Sequence, residues 1–153
     1  MSNGKLSLKR PSIVAEPKEM RILDPKDLGS VWDRVLIGLK RVQARSNRRD
    51  WRPEDIYASI KTGNSILLYD PHWWRGFLIC TKTESFLGTV LWIWMAYGER
   101  SADIAWYWER LNDFAKEEGV TAIHFSSDRV GWARVAKKYG CKAFSIIYEK
   151  QVT

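Results

Sequence analysis

The chain has 153 residues, 45% of them hydrophobic, nine tryptophans and a formal net charge of +7. That is enough to bury one real core and too little for two ordinary domains, and no uninterrupted apolar run approaches the roughly 20 residues that span a bilayer. The charge is lopsided, because residues 1–52 hold 13 Lys or Arg against 6 Asp or Glu, while residues 53–153 hold 12 of each.

Residues 1–19 are polar, carry Pro11 and Pro17, show no sustained periodicity and lack the apolar stretch of a signal peptide. They are expected to form a basic flexible arm ahead of a single domain over residues 20–153. Met20-Arg-Ile-Leu23 predicts a short strand. Asp24-Pro25 predicts a helix start, with proline at the position where its missing N–H costs least. Leu28, Val31, Trp32, Val35, Leu36, Leu39 and Val42 continue as a helical stripe to about Ala44. The polar loop Arg45 to Arg52 follows, and Pro53-Glu-Asp opens a second helix that Gly63 closes. Ser65 to Tyr69 and Trp74 to Thr81 read as two strands joined by Asp70-Pro71-His72.

The centre of the chain is Phe86 to Gly119. Phe86 to Tyr97 is β-branched and aromatic with almost no polar side chain, so it must be a strand covered on both faces. Ser101 is expected to cap the next helix, whose apolar stripe runs through Ile104, Trp108, Leu111 and Ala115 to the stop at Gly119. Val120 to Phe125 then makes a second apolar strand, completing a βαβ unit with a parallel pair. Ser127 or Asp128 caps a last helix through Val135 and Tyr139, Gly140 ends it, and Cys141 to Lys150 reads as a final strand. Cys80 and Cys141 form no CxxC pair or framework spacing, so both are expected as reduced core thiols, with no disulfide and no metal site.

The predicted order is β-α-α-β-β-β-α-β-α-β, an α/β (α+β) mixed central sheet flanked by helices. This order resembles the GNAT fold, the Gcn5-related N-acetyltransferase superfamily, across residues 20–150. Trp51-Arg-Pro-Glu-Asp, the stretch Val130-Gly-Trp-Ala-Arg-Val-Ala-Lys-Lys-Tyr-Gly-Cys141 and the closing strand resemble degenerate GNAT-like proteins among the virion genes of tailed bacteriophages.

The resemblance implies two requirements for catalysis. One is a Gln/Arg-x-x-Gly-x-Gly/Ala turn that holds the diphosphate of acetyl-CoA on backbone amides. The best match is Arg100-Ser-Ala-Asp-Ile-Ala105, in which Arg100 and Ala105 fit the ends and Asp103 stands where glycine is expected. A carboxylate there would repel a diphosphate and could satisfy the helix N-terminus in its place. If CoA binds, Arg100, Ser101, Ala102 and Ala105 are the contacts implied. The other requirement is a proton donor for the departing thiolate, which the resemblance would put at Ala136; Tyr139, three residues further on, is a near miss in register. His124 on the fifth strand is the other candidate, with imidazole suited to proton transfer near neutral pH.

Two functions follow. The first is a non-catalytic GNAT-like virion or ejection-associated protein with no cofactor, found in the virion or the bacterial host cytoplasm. Its basic run (Lys40, Arg41, Arg45, Arg48, Arg49, Arg52) would dock on virion or host proteins or on nucleic acid. The alternative is an acetyl-CoA-dependent N-acetyltransferase with a divergent diphosphate loop.

Overall fold

The expected βαβ unit lies at one end of the sheet, and the rest of the domain packs around it. The computed structural model describes residues 19–46, 50–72, 74–86, 88–129 and 131–152. The basic arm therefore lies, Glu19 apart, outside the described residues, as do Arg48 and Arg49. The elements are β1 (Arg21–Ile22), a 3-10 turn (Pro25–Asp27), α1 (Leu28–Ala44), α2 (Pro53–Lys61), β2 (Ile66–Tyr69) and β3 (Gly76–Ser85). They continue with β4 (Gly88–Gly98), α3 (Ser101–Glu117), β5 (Ala122–Phe125) and α4 (Trp132–Lys138). The strands lie in the order β1-β2-β3-β4-β5, antiparallel up to β4 and parallel between β4 and β5.

Helices cover both faces of this mixed sheet, as the apolar character of β4 requires. Leu91 and Ile93 of β4 pack with Tyr107 and Leu111 of α3 on one face. Met95 and Tyr97 pack with Leu28, Val35 and Leu39 of α1 and Ile56 and Ile60 of α2 on the other. The change of face has a local cause. Between the pairs Ile79–Met95 and Cys80–Ile93 the register shifts by one residue, so Trp94 has no partner on β3. Such a bulge reverses the side-chain alternation beyond it.

Local signals account for most boundaries. The Asp24 side chain accepts a hydrogen bond from the Lys26 amide at 3.1 Å and fixes the turn before α1. Gly119, at φ 71°, takes the left-handed conformation that ends α3.

Four boundary expectations are corrected. β3 runs on through the polar residues to Ser85, and β4 begins at Gly88 rather than Phe86, whose side chain is fully exposed. The cap of α3 comes from Asp103, not Ser101, which is the first helical residue. Neither Ser127 nor Asp128 caps α4: the Ser127 hydroxyl accepts from the Arg129 amide at 3.1 Å, and the Asp128 carboxylate accepts from Ser46. Finally, residues 141–150 form no strand. Cys141 is tied by its amide to the Ala136 carbonyl at 2.9 Å. Beyond it the Phe144 ring rests on His124, but Phe144, Ile146, Ile147 and Tyr148 remain at least 70% exposed. Little apolar burial is gained there to offset the entropy of ordering a strand.

Among the described residues no helix is long and apolar enough to cross a membrane, and no group of His, Cys, Asp or Glu could hold a metal ion.

Candidate functional site

The parallel ladder between β4 and β5 runs from Val90–Ala122 to Ile93–Phe125 and stops. β4 continues to Gly98, while the chain leaves β5 at Ser126. The two strands part, and between them opens a cleft of about 190 Å³. One wall is β4 from Ile93 to Gly98. The opposite wall is Phe125 and the loop to Arg129, the floor is Tyr107, Trp108 and Leu111 of α3, and the end of α1 supplies Val42, Arg45 and Ser46.

The lining is aromatic for a structural reason. Trp108 packs edge to face on Phe125 at 5.6 Å, and Phe125 packs on Trp132 at 5.5 Å, so α3, β5 and α4 meet in one cluster. Across the mouth the Ser46 hydroxyl donates to the Asp128 carboxylate at 3.1 Å, joining the end of α1 to the loop after β5. Arg45 and Arg129 stand at the same mouth. At the far end Gly98 approaches α3 so closely that a Cβ there would lie 2.8 Å from the Ile104 side chain.

The start of α3 adjoins the cleft through Gly98 and Ile104, and it is self-capped. One Asp103 oxygen accepts from the Arg100 amide at 2.9 Å, and the other accepts from the Arg100 guanidinium at 2.9 Å. The carboxylate is 4% exposed. It places negative charge where the helix dipole favours an anion. Arg100 is thereby engaged by its own chain, and Ser101 and Ala102 are exposed beside it. Ala105 is half-buried within α3.

The Tyr107 hydroxyl is also committed. It donates to the Gly76 carbonyl at 2.7 Å, and burial raises its pKa, so it stays protonated. The Tyr97 hydroxyl accepts from Arg41 at 2.5 Å, and Arg41 also lies 3.9 Å from Glu99.

The structure places the sequence candidates in three locations. His124 lies outside the cleft lining, edge to face with Trp92 at 6.1 Å and against Phe144 at 4.9 Å. Tyr139 also lies outside the lining and stacks on Trp108 at 5.2 Å. The basic run is divided among different tasks: Lys40 is exposed, Arg41 is bonded to Tyr97, Arg45 is at the cleft mouth, and Arg52 pairs with Asp55 at 3.1 Å. Trp94 and Trp108, which read from sequence as core packing first and as an aromatic wall for a ligand or partner second, both line the cleft. Their spacing is that of any buried face, and only the parting of β4 and β5 turns it into a wall.

No protein-family model matches the chain, and no curated protein sequence does. Solved structures do. A possible acetyltransferase from Clostridium difficile 630 superposes with a TM-score of 0.67 at 12% identity, covering 88% of this chain and 97% of that one. A predicted acetyltransferase from Clostridium acetobutylicum, solved with acetyl-CoA, gives 0.62 at 15% identity, over 87% and 95% of the two chains. A ribosomal-protein-alanine N-acetyltransferase from Brucella melitensis biovar Abortus 2308 gives 0.64 at 15% identity, over 88% and 100%. At these identities the likeness establishes the fold, which is that of the GNAT acetyltransferases.

Proposed function

We propose that the protein is an acyltransferase that takes an acyl thioester in the cleft between β4 and β5 and passes the acyl group to an amine. The observation that carries this reading is the parting of the parallel strands after Ile93–Phe125, which leaves β4 without a β5 partner from Trp94 onward beside a largely apolar wall. Open α/β sheets bind ligands at the carboxyl ends of strands whose neighbours diverge. A pantetheine arm suits such a place. Its amides can bond to the open edge of β4 as an added strand would, and its methylenes can lie on Trp108 and Phe125. The bulge at Trp94 offers further backbone groups not engaged by β3.

The chemistry requires little more than alignment. The amine nitrogen attacks the thioester carbonyl carbon, a C–N bond forms and the C–S bond breaks. The nitrogen gives up one proton and the departing sulfur takes one, with water able to serve both transfers. Kinship of fold with a ribosomal-protein-alanine N-acetyltransferase and with a structure solved with acetyl-CoA supports an amine acceptor and a thioester donor.

A second reading draws on the self-capped α3. Asp103 occupies the helix end that a CoA diphosphate would use, which favours a non-catalytic interaction protein, such as a bacteriophage virion or ejection-associated component. Calorimetric titration with acetyl-CoA and with acetyl-pantetheine separates the two. Micromolar binding of either, about 8 kcal/mol, followed by acetylation of an amine, supports the acyltransferase. No heat from either supports the second reading.

A further inference from the structure

Free acyl-CoA carries a diphosphate, and the helix end beside the cleft already holds an anion of its own. Asp103 is buried and bonded to both the amide and the guanidinium of Arg100. A diphosphate placed at the exposed Ser101 and Ala102 amides would meet the buried Asp103 carboxylate beside them, and it would have to take Arg100 from its partner. The thioester cleft is nevertheless open, and its mouth is basic. Arg45 and Arg129 line it, and neither makes an ion pair among the described residues. Lys40 is exposed on α1 ahead of Arg45. The mouth also carries Asp128, which is engaged by the Ser46 hydroxyl.

We propose that the acyl donor is a phosphopantetheine thioester borne by an acidic carrier protein, which docks against the basic cleft mouth at Arg45 and Arg129. The proposal rests on the acyltransferase reading and specifies its donor. A carrier-borne arm is joined to its protein through a single phosphodiester, so it has neither the diphosphate that Asp103 excludes nor an adenosine to place. The arm would enter past Arg45 and Arg129, and the acidic surface around its attachment would lie against them and against the net positive first third of the chain. Charge complementarity of this kind acts mainly on association rate and is weakened by salt.

The test compares three probes by titration against the full chain: acetyl-pantetheine, acetyl-CoA, and a bacterial acyl carrier protein loaded with acetyl-phosphopantetheine. The proposal expects the first two to bind within about threefold of each other. It expects the loaded carrier to bind about tenfold tighter or more, an advantage of about 1.4 kcal/mol. That advantage should vanish in about 0.5 M salt and in the exposed double variant Arg45→Glu/Arg129→Glu, provided its thermal melt stays cooperative. Acetyl-CoA binding about tenfold tighter than acetyl-pantetheine would overturn the carrier proposal while leaving the acyltransferase intact. So would a carrier that binds no better than acetyl-pantetheine, or a short DNA duplex that binds more tightly than the carrier. Failure of all three thioesters removes the acyltransferase reading itself.

Discussion

Asp103 stands to Arg100 as Asp55 stands to Arg52. In each case a carboxylate three residues into a helix accepts from the amide of the preceding arginine, at 2.9 Å and 3.0 Å respectively, and pairs with its guanidinium. The chain thus starts two helices with the same Arg-x-x-Asp device, one on the surface and one beside the cleft. In α3 the carboxylate is buried, so replacing it leaves the amide and guanidinium without their acceptor. Asp103→Ala should lower stability by about 1–2 kcal/mol, read as a lower urea midpoint at unchanged slope. A change within error would mean that the cap contributes nothing.

The surface copy of the device makes a pH prediction. Hydrogen bonds from the Arg52 side chain and amide hold the Asp55 carboxyl below the ordinary carboxylate range. A depressed pKa contributes stability above the unfolded value, about 3.9, and that contribution is lost as pH falls through the lower folded value. The first turn of α2 should therefore loosen only in that acid window. Amide resonances of Asp55 and Ile56, followed by NMR from neutral pH downward, should move there in the native protein and stay still in Asp55→Asn. Equal movement in both would assign the change elsewhere.

How much of this was legible in advance depends on the range of the interactions involved. The βαβ unit, the α1 stripe and the glycine stop at Gly119 are local patterns, and the structure contains them. The bulge at Trp94 is a mismatch between two strands, so neither strand announces it alone, yet it decides that Ile93 faces α3 while Met95 and Tyr97 face α1. The cleft is non-local in the same way, because Trp108, Phe125 and Trp132 meet from three elements. Asp103 was readable both as an intruder at a phosphate-binding turn and as a group able to satisfy the helix N-terminus. Its pairing with Arg100 makes it a cap, and the matching Arg52–Asp55 pair could have signalled this from sequence. The apolar run Phe144 to Tyr148 has strand composition and no ladder, since alternation specifies a face but not a neighbour.

Two glycines in α1 should respond oppositely to the same substitution. A Cβ at Gly38 would lie 2.5 Å from Phe77 and 2.7 Å from Tyr97, rings that are 1% and 6% exposed and have nowhere to move. A Cβ at Gly29 would meet only the Tyr57 hydroxyl at 3.9 Å. Alanine gains up to about 1 kcal/mol over glycine inside a helix, whereas overpacking a core costs about 1–3 kcal/mol. Gly29→Ala should therefore stabilise by about 0.5–1 kcal/mol. Gly38→Ala should destabilise by about 1–2 kcal/mol net of its helix gain. Thermal melts of the two variants that shift in the same direction would contradict the packing around Phe77.

The two cysteines should separate by reactivity and by pH. Cys80 is fully buried on β3, and burial pushes its thiol up to about 12, whereas Cys141 is only partly buried after α4. Burial raises the Cys141 thiol too, but that side chain is reachable, so a thiol-reactive dye near pH 8 should label Cys141 well ahead of Cys80, which reacts only as fast as the protein unfolds. Burial also makes stability fall on the alkaline side. The folded state keeps Cys80 neutral while the unfolded chain ionises above about 8.5, so the contribution is complete below that pH and is lost as pH rises toward the folded value. The slope should approach about 1.4 kcal/mol per pH unit from this group alone. Cys80→Ala, although less stable at neutral pH through the lost packing, should show a shallower alkaline decline in urea midpoint. Identical declines in the variant and the native chain, or two thiols labelled at one rate, would place Cys80 in contact with solvent and contradict its position in the core.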